Sequence, residues 1–251
     1  GNEKHILNLT EYSASGDRDI TNILDKTKIN LKFNKNEINE GNNYLKKIQT
    51  EPFKYICLHV RDEEYLKKTF KDDQNHSRHS HRNCKLSNFK DTIKYLLDNG
   101  YTVIRMGKIN SQKFDFNHKK LIDYANESDQ SDFLDIYLCA NCKIFISTCS
   151  GLDFVAKIFR RPVLFTNQVP LGSAVLSSVI DMVIFKKYYS NLKKRVLTLN
   201  EIFDNNLELI KNGNEFKKLG ISIIENNSEE ILDSTKDMIK FLEHKLIEDP
   251  L

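Results

Sequence analysis

The sequence predicts an α/β fold built on a doubly wound, mostly parallel sheet of the Rossmann-like kind. Three observations predict it. Apolar runs of five or six residues recur from Tyr55 onward: "YICLHV", "YTVIRM", "KIFIST", "PVLFTN" and "DMVIF". Segments with helical spacing of apolar residues lie between them, and that alternation implies crossover connections and a sheet covered on both faces. At 251 residues, with 39% hydrophobic and 29% charged side chains, the chain is also large enough to bury one such core.

In chain order, residues 1–50 are polar and rich in Asn, Lys and Asp, with one short helix in "NEINEGNNYLKKI". They read as a polar lead, and residues 51–251 as the Rossmann-like domain. The first strand is "YICLHV". "NFKDTIKYLLDNG" follows as a helix, with Phe89, Ile93, Leu96 and Leu97 on one face, Ser87 as N-cap and Gly100 as the stop. After the second strand, "YTVIRM", a short strand ends at Asp123-Tyr124. "SDFLDIYLCAN" is a helix, "KIFIST" the third strand, "GLDFVAKIFR" a short helix, "PVLFTN" the fourth strand and "DMVIF" the fifth. "SEEILDSTKDMIKFLEHKL" closes as an amphipathic helix, with Ser228 as its cap and Glu229 and Glu230 in the first turn.

The charge balance, 38 basic against 35 acidic residues, lacks the basic excess of a nucleic-acid protein. No apolar run approaches the roughly 18 residues that cross a bilayer. Five cysteines, an odd number set in apolar segments, suit free thiols in a reducing cytosol, so a cytoplasmic protein is expected. Cys139-Ala-Asn-Cys142 has no second CxxC to complete a zinc site, and buried, inert thiols are the better reading. "KKYYSNLKKR", 186–195, reads as a solvated charged loop, with association to the inner face of an anionic membrane as the alternative.

Candidate chemistry falls at strand ends. His59 and Arg61 lie on one side of the first strand, just where it runs out, with Asp62 after them. Arginine presents a planar fork that fits phosphate oxygens, and histidine adds a donor or a proton. A strand-end ion pair is the plainer alternative. From Asp62 to Ser87 the chain shows no convincing core element, and connections longer than about 12–15 residues are usually functional or disordered. Within it, "HSRHSHRN" offers three histidines, His76, His79 and His81, whose spacing specifies no metal geometry. A basic loop closing over an anion fits better, with His81, Arg82 and Asn83 as contacts. Arg105 and Gly107 end the second strand, where glycine permits close backbone approach. "STCSGLD" is a strand-to-helix turn whose Ser147, Thr148, Ser150 and Gly151 offer hydroxyls and helix-start amides to phosphate. Ser150 with Asp153 also forms a capping box that satisfies some of those donors internally. Asp132 and Asp135 on one helical face, and Asn167 at the end of the fourth strand, are secondary candidates. No residue set is assigned to a metal.

Taken in order, "CLHVRDEEYL", "HSHRN", "GYTVIRMGK", "IDYA", "SDFLDIYLCANCKIFISTCSGL" and "FRRPVLFTNQVPL" resemble a family of bacterial glycosyltransferases encoded with surface-polysaccharide genes, over about residues 50–245. The His-x-Arg of His59 and Arg61 also looks like the donor-site motif of fucosyltransferases of the GT-B architecture. The resemblance implies a donor-binding half of a GT-B enzyme, with Arg61 on the nucleotide-sugar pyrophosphate and the turn 147–151 facing phosphate. It implies a nucleotide-sugar donor, with a GDP-sugar mildly favoured, a glycan or lipid-linked glycan acceptor, and no cofactor. GT-B enzymes have two Rossmann-like domains; residues 1–50 would then be a remnant or minimal form of the acceptor half. On this reading Arg61 with Arg82 or Arg105 neutralises the leaving group, and His59, Asp62 or His81 serves as base. A non-catalytic nucleotide- or sugar-phosphate-binding module predicts the same arginines, and a metal-dependent hydrolase on the histidine loop is the third reading.

Overall fold

A computed structural model describes residues 23–64, 78–108, 112–174 and 176–248. Alternation along the first strand sets the architecture. Tyr55 and Cys57 face one apolar cluster, while Ile56 and Leu58, with Val60 just beyond the strand, face another. A strand buried on both faces needs a helical layer on each, which a parallel sheet supplies.

Six strands form that sheet: β1 (Tyr55–His59), β2 (Thr102–Arg105), β3 (Leu121–Ile122), β4 (Ile144–Ser147), β5 (Val163–Gln168) and β6 (Met182–Phe185). Their order is β3-β2-β1-β4-β5-β6, with every pair parallel, which is the strand order of a Rossmann fold. A single turn, α1 (Ile23–Lys26), precedes α2 (Lys35–Lys47). On one face α2 packs with α4 (Asp132–Asn141) and α5 (Gly151–Ile158); on the other lie α3 (Lys90–Asp98) and α8 (Ser228–Glu248).

Helix α2 starts where expected, since Asn34 and Glu37 form a reciprocal capping box. The polar lead thereby supplies part of the core, through Tyr44, Leu45 and Ile48. Gly41 lets α2 approach α4 closely, because a Cβ there would stand 2.3 Å from the Tyr137 ring. Tyr137 in turn donates from Oη to Asn42 Oδ1 at 3.0 Å.

Three local expectations change. Ser87 does not cap α3; it sits inside a 3-10 turn, Leu86–Phe89, that runs directly into the helix. Asn227, rather than Ser228, caps α8: its side chain accepts from the Glu230 N–H at 2.9 Å and its own N–H donates to the Glu230 carboxylate at 3.0 Å. Ser228 is drawn away to donate to the Asn88 carbonyl at 2.9 Å. The charged loop expected at 186–195 is instead a hairpin. Its strands β7 (Lys187–Ser190) and β8 (Arg195–Val196) join β9 (Ile221–Ile224) in an antiparallel sheet of order β8-β7-β9. Tyr188 and Ser190 turn inward while Lys187 and Tyr189 stay half-buried, a period-two pattern that the lysines obscure. With α6 (Leu199–Asp204) and α7 (Gly213–Lys218), this sheet buries a separate small core of Tyr188, Ile202, Leu207, Phe216 and Ile221.

Candidate functional site

The chain leaves β1 toward β2 and β3 on one side, and leaves β4 toward β5 and β6 on the other. Between β1 and β4 the carboxyl ends diverge and leave the crevice where open α/β sheets bind ligands. His59 and Ser147 are register partners at that point, so the segments that follow emerge side by side.

Two hydrogen bonds tie those segments together. Thr148 N–H donates to the His59 carbonyl at 3.1 Å, and Arg61 N–H donates to Thr148 Oγ1 at 2.7 Å. A third strand of chain joins them, since Cys84 N–H donates to the Arg61 carbonyl at 3.0 Å. Arg61, Arg82 and the turn 147–151 are thereby drawn together, although two come from a loop and one from a helix start.

The turn is held from below. Asp153, fully buried, accepts from Ser147 Oγ at 2.7 Å and from Ser150 N–H at 2.6 Å, while Ser150 Oγ accepts from Leu152 N–H at 3.2 Å. Burial pushes the Asp153 carboxyl up from its ordinary value. The hydroxyls of Ser147, Thr148 and Ser150 are thus engaged in building the turn. Its unpartnered backbone donors, among the described residues, are the N–H groups of Cys149 and Gly151. Cys149 is held at φ 63°, a left-handed conformation that a non-glycine residue keeps only under constraint. Burial pushes its thiol up to about 12, so it is not a nucleophile at neutral pH.

Cations outnumber carboxylates at this edge, where Asp153 is the buried acid within reach of Arg82. Burial, and then the like charge of Arg82, lower Arg61 to about 10, which still leaves it cationic at neutral pH. Arg61 Nε is buried without a partner, and none of the ion pairs among the described residues uses Arg61 or Arg82. A further cation stands behind them. Lys186, only 3% exposed, donates to the carbonyls of His81 at 3.0 Å and Asn83 at 2.6 Å, one on each side of Arg82. Guanidiniums drawn together with no ion-pair partner among the described residues favour a bound anion, and the turn beside them carries two free N–H groups.

Other sequence candidates sit differently. The His59 ring is neutral above about pH 4, lowered by burial and then by Arg61 and Arg105; its Nδ1 is buried without a partner. Asp62 follows Arg61, and its Oδ1 accepts from Glu64 N–H at 3.1 Å. His81 turns away from the crevice to pack on Phe216, ring centroids 5.6 Å apart, and burial lowers it to about 4. Arg105 is wholly buried, 3.6 Å from Asp123 Oδ1, bonded to the Gln112 carbonyl at 2.5 Å and lying over Phe114. Its Nε and Nη2, like Asp123 Oδ1, are buried without a hydrogen-bond partner. Gly107, at φ 125°, presents its carbonyl to Gln130. Asp132 is exposed at the start of α4, 3.5 Å from Lys108, while Asp135 is half-buried with its carboxyl pushed up by burial. Asn167 exchanges hydrogen bonds with Asn226, both at 2.7 Å, clasping β5 to the entry of α8.

Compared with family models, curated proteins and solved structures, the chain matches none of them. The crevice therefore stands on its own residues. Among the described residues no cluster of His, Cys, Asp or Glu is arranged to hold a metal; His76 lies outside them. No helix among them is long and apolar enough to cross a membrane, and all five cysteines are free thiols.

Lys186 is the residue that sequence reasoning missed. It carries the same signal as Arg61, a cation ending the apolar run "DMVIFK", but the charged stretch that follows it disguised the strand end.

Proposed function

We propose that the chain is the donor-binding half of a glycosyltransferase of GT-B type, transferring a sugar from a nucleotide-sugar to a glycan or lipid-linked glycan of a bacterial surface polysaccharide. The observation that carries the reading is the pair Arg61 and Arg82, in no ion pair among the described residues, at the β1/β4 switch point. In sugar transfer the bond between the anomeric carbon and the terminal phosphate oxygen breaks, and its electrons leave with the nucleoside diphosphate. Arg61 and Arg82 stabilise that developing charge, with the N–H groups of Cys149 and Gly151, and the reaction needs no metal for this step. Arg105, wholly buried 3.6 Å from Asp123 with Nε and Nη2 unpartnered, is the second candidate for that charge beside Arg82. His59, neutral and with a free Nδ1, is the base best suited by position, and Asp62 is the alternative. GDP-sugars are the first donors to try, on family resemblance.

A thermal-shift panel of GDP-, UDP-, CMP- and dTDP-linked sugars tests this, since a ligand that binds only the folded chain raises its apparent stability. At least one should stabilise the protein in the presence of EDTA, and that stabilisation should vanish in Arg61→Ala. A panel without any shift removes the proposal. The weak basicity of His59 favours a second reading, a module that binds the nucleotide-sugar without turning it over. Release of free nucleoside diphosphate when acceptor is added excludes that reading.

A further inference from the structure

The small antiparallel module has two sides of different chemistry. Its inner side packs on the Arg82 loop through Phe216 on His81 and through Lys186 at the carbonyls flanking Arg82. Its outer side combines positive charge with exposed leucines. Residues 186–224 hold eight Lys or Arg and four Asp or Glu, an excess of four, against a net charge of +3 for the whole chain. The basic excess of the protein therefore resides in this module.

Leu192, 89% exposed, lies at the tip between β7 and β8. Asn191 N–H donates to the Gly220 carbonyl at 2.9 Å, which seats that tip beside Lys217, Lys218 and Leu219, the last 57% exposed. Glu201 receives Lys193 at 2.6 Å and Arg195 at 2.7 Å, which draws the start of α6, with Leu199 60% exposed, to the same tip. Lys194, Lys217 and Lys218 take part in none of the ion pairs among the described residues.

We propose that this outer side seats on an anionic bilayer surface. Leu192, Leu199 and Leu219 enter the headgroup layer while Lys194, Lys217 and Lys218 face the lipid phosphates. Single leucines set among lysines, on three separate elements, form no continuous groove for a rigid partner; a fluid anionic surface accepts them individually. Docking there would hold the Arg82 loop close to the membrane. The proposal does not rest on sugar transfer, and its test uses no nucleotide.

The full chain is sedimented with vesicles of phosphatidylcholine alone and of phosphatidylcholine mixed with phosphatidylglycerol. It should pellet with the mixed vesicles only, and less as salt is raised. Replacing Lys194, Lys217 and Lys218 by Gln should weaken binding about fivefold for each lysine. Leu192→Glu with Leu219→Glu should abolish it, while circular dichroism and melting temperature stay at the parent values. Absence from the mixed-vesicle pellet overturns the proposal, as does equal binding by parent and leucine variant. A parent that dimerises through this surface, with the leucine variant monomeric and neither binding vesicles, assigns it to a second copy of the chain and overturns it too.

Discussion

Arg61 and Thr148 are joined across the switch point, the backbone of one bonded to the hydroxyl of the other at 2.7 Å. This bond fixes where the first loop of the sheet leaves β1 relative to the helix start after β4. Thr148 is held on both counts, its Oγ1 accepting from the arginine backbone while its O–H donates to the His59 carbonyl at 3.5 Å. In the proposed site, guanidiniums and backbone amides would bind the anion on a turn braced by Asp153 and Thr148.

Removing one guanidinium tests that arrangement. Arg61→Ala should lower transfer by roughly a hundredfold to a thousandfold, the range for deleting one donor to a developing anion. Arg82→Ala should do likewise, and the double variant should lose less than the two effects combined, because both serve one charge. Arg61→Lys should recover only part, since a point charge does not reproduce a bidentate fork. Steady-state rates at saturating donor measure all four; parent-like rates for Arg61→Ala would remove the role.

Lys186 acts through the loop it holds. Lys186→Met leaves the carbonyls of His81 and Asn83 without their donor, which should cost about 1–3 kcal/mol in urea unfolding. If the lysine positions Arg82, nucleotide-sugar affinity should fall by about tenfold in conditions where the variant is fully folded, and Lys186→Arg should restore part of it. Unchanged affinity in the folded variant would limit Lys186 to stability.

Acid should destabilise the protein before its carboxylates are fully protonated. An unfolded histidine titrates near 6.5, whereas His59 in the fold titrates at about 4. The depressed value contributes stability that is present above pH 6.5 and lost as pH falls toward 4, on the order of 3 kcal/mol at most. His81 acts in the same direction. Asp153 opposes it: its raised value favours the fold at low pH and loses that contribution as pH rises through it. Comparing His59→Gln with the parent isolates the histidine. The variant should show a shallower loss of unfolding free energy between pH 6.5 and 4, and equal slopes would reject the buried neutral ring.

Gly41→Ala separates helix propensity from packing. In an exposed helix alanine would gain up to about 1 kcal/mol over glycine. Here its methyl would meet the Tyr137 ring at 2.3 Å, and Tyr137 is held by Asn42. Overpacking of about 1–3 kcal/mol should win, giving a net loss of stability in denaturant titration. A stabilised variant would mean that α2 does not pack on α4 as described.

Much of the sheet was legible in the residues. "YICLHV", "YTVIRM", "KIFIST", "PVLFTN" and "DMVIF" became β1, β2, β4, β5 and β6 because strands buried on both faces are apolar throughout, and no other pattern in the chain competes. Gly100 stops α3 at φ 84°, as its lack of Cβ allows. The antiparallel module was not legible. Its strands are short, and "KKYYSNLKKR" satisfies a charged-loop pattern as well as a strand with two inward residues. Caps were exchanged between neighbours, Asn227 for Ser228, because a distant carbonyl, that of Asn88, claimed the serine.

At the site, sequence chose Arg61 and the turn 147–151 by residue type and strand-end position and Arg82 as a contact of the basic loop, and the structure draws these together. It chose Arg105 by strand end and His81 from the basic loop, and they diverge, one toward Asp123 and the other toward Phe216. Alternation along a strand states which way a side chain leaves the backbone, but not what stands there to receive it. The chain by itself determined the α/β class, the strand ends that carry cations and the helix start beside them, because hydrophobic period and chain-local capping are written in neighbouring residues. Strand order, the partner that each buried cation finds and the lysine that braces the Arg82 loop were decided only in three dimensions, where residues a hundred positions apart come into hydrogen-bond range.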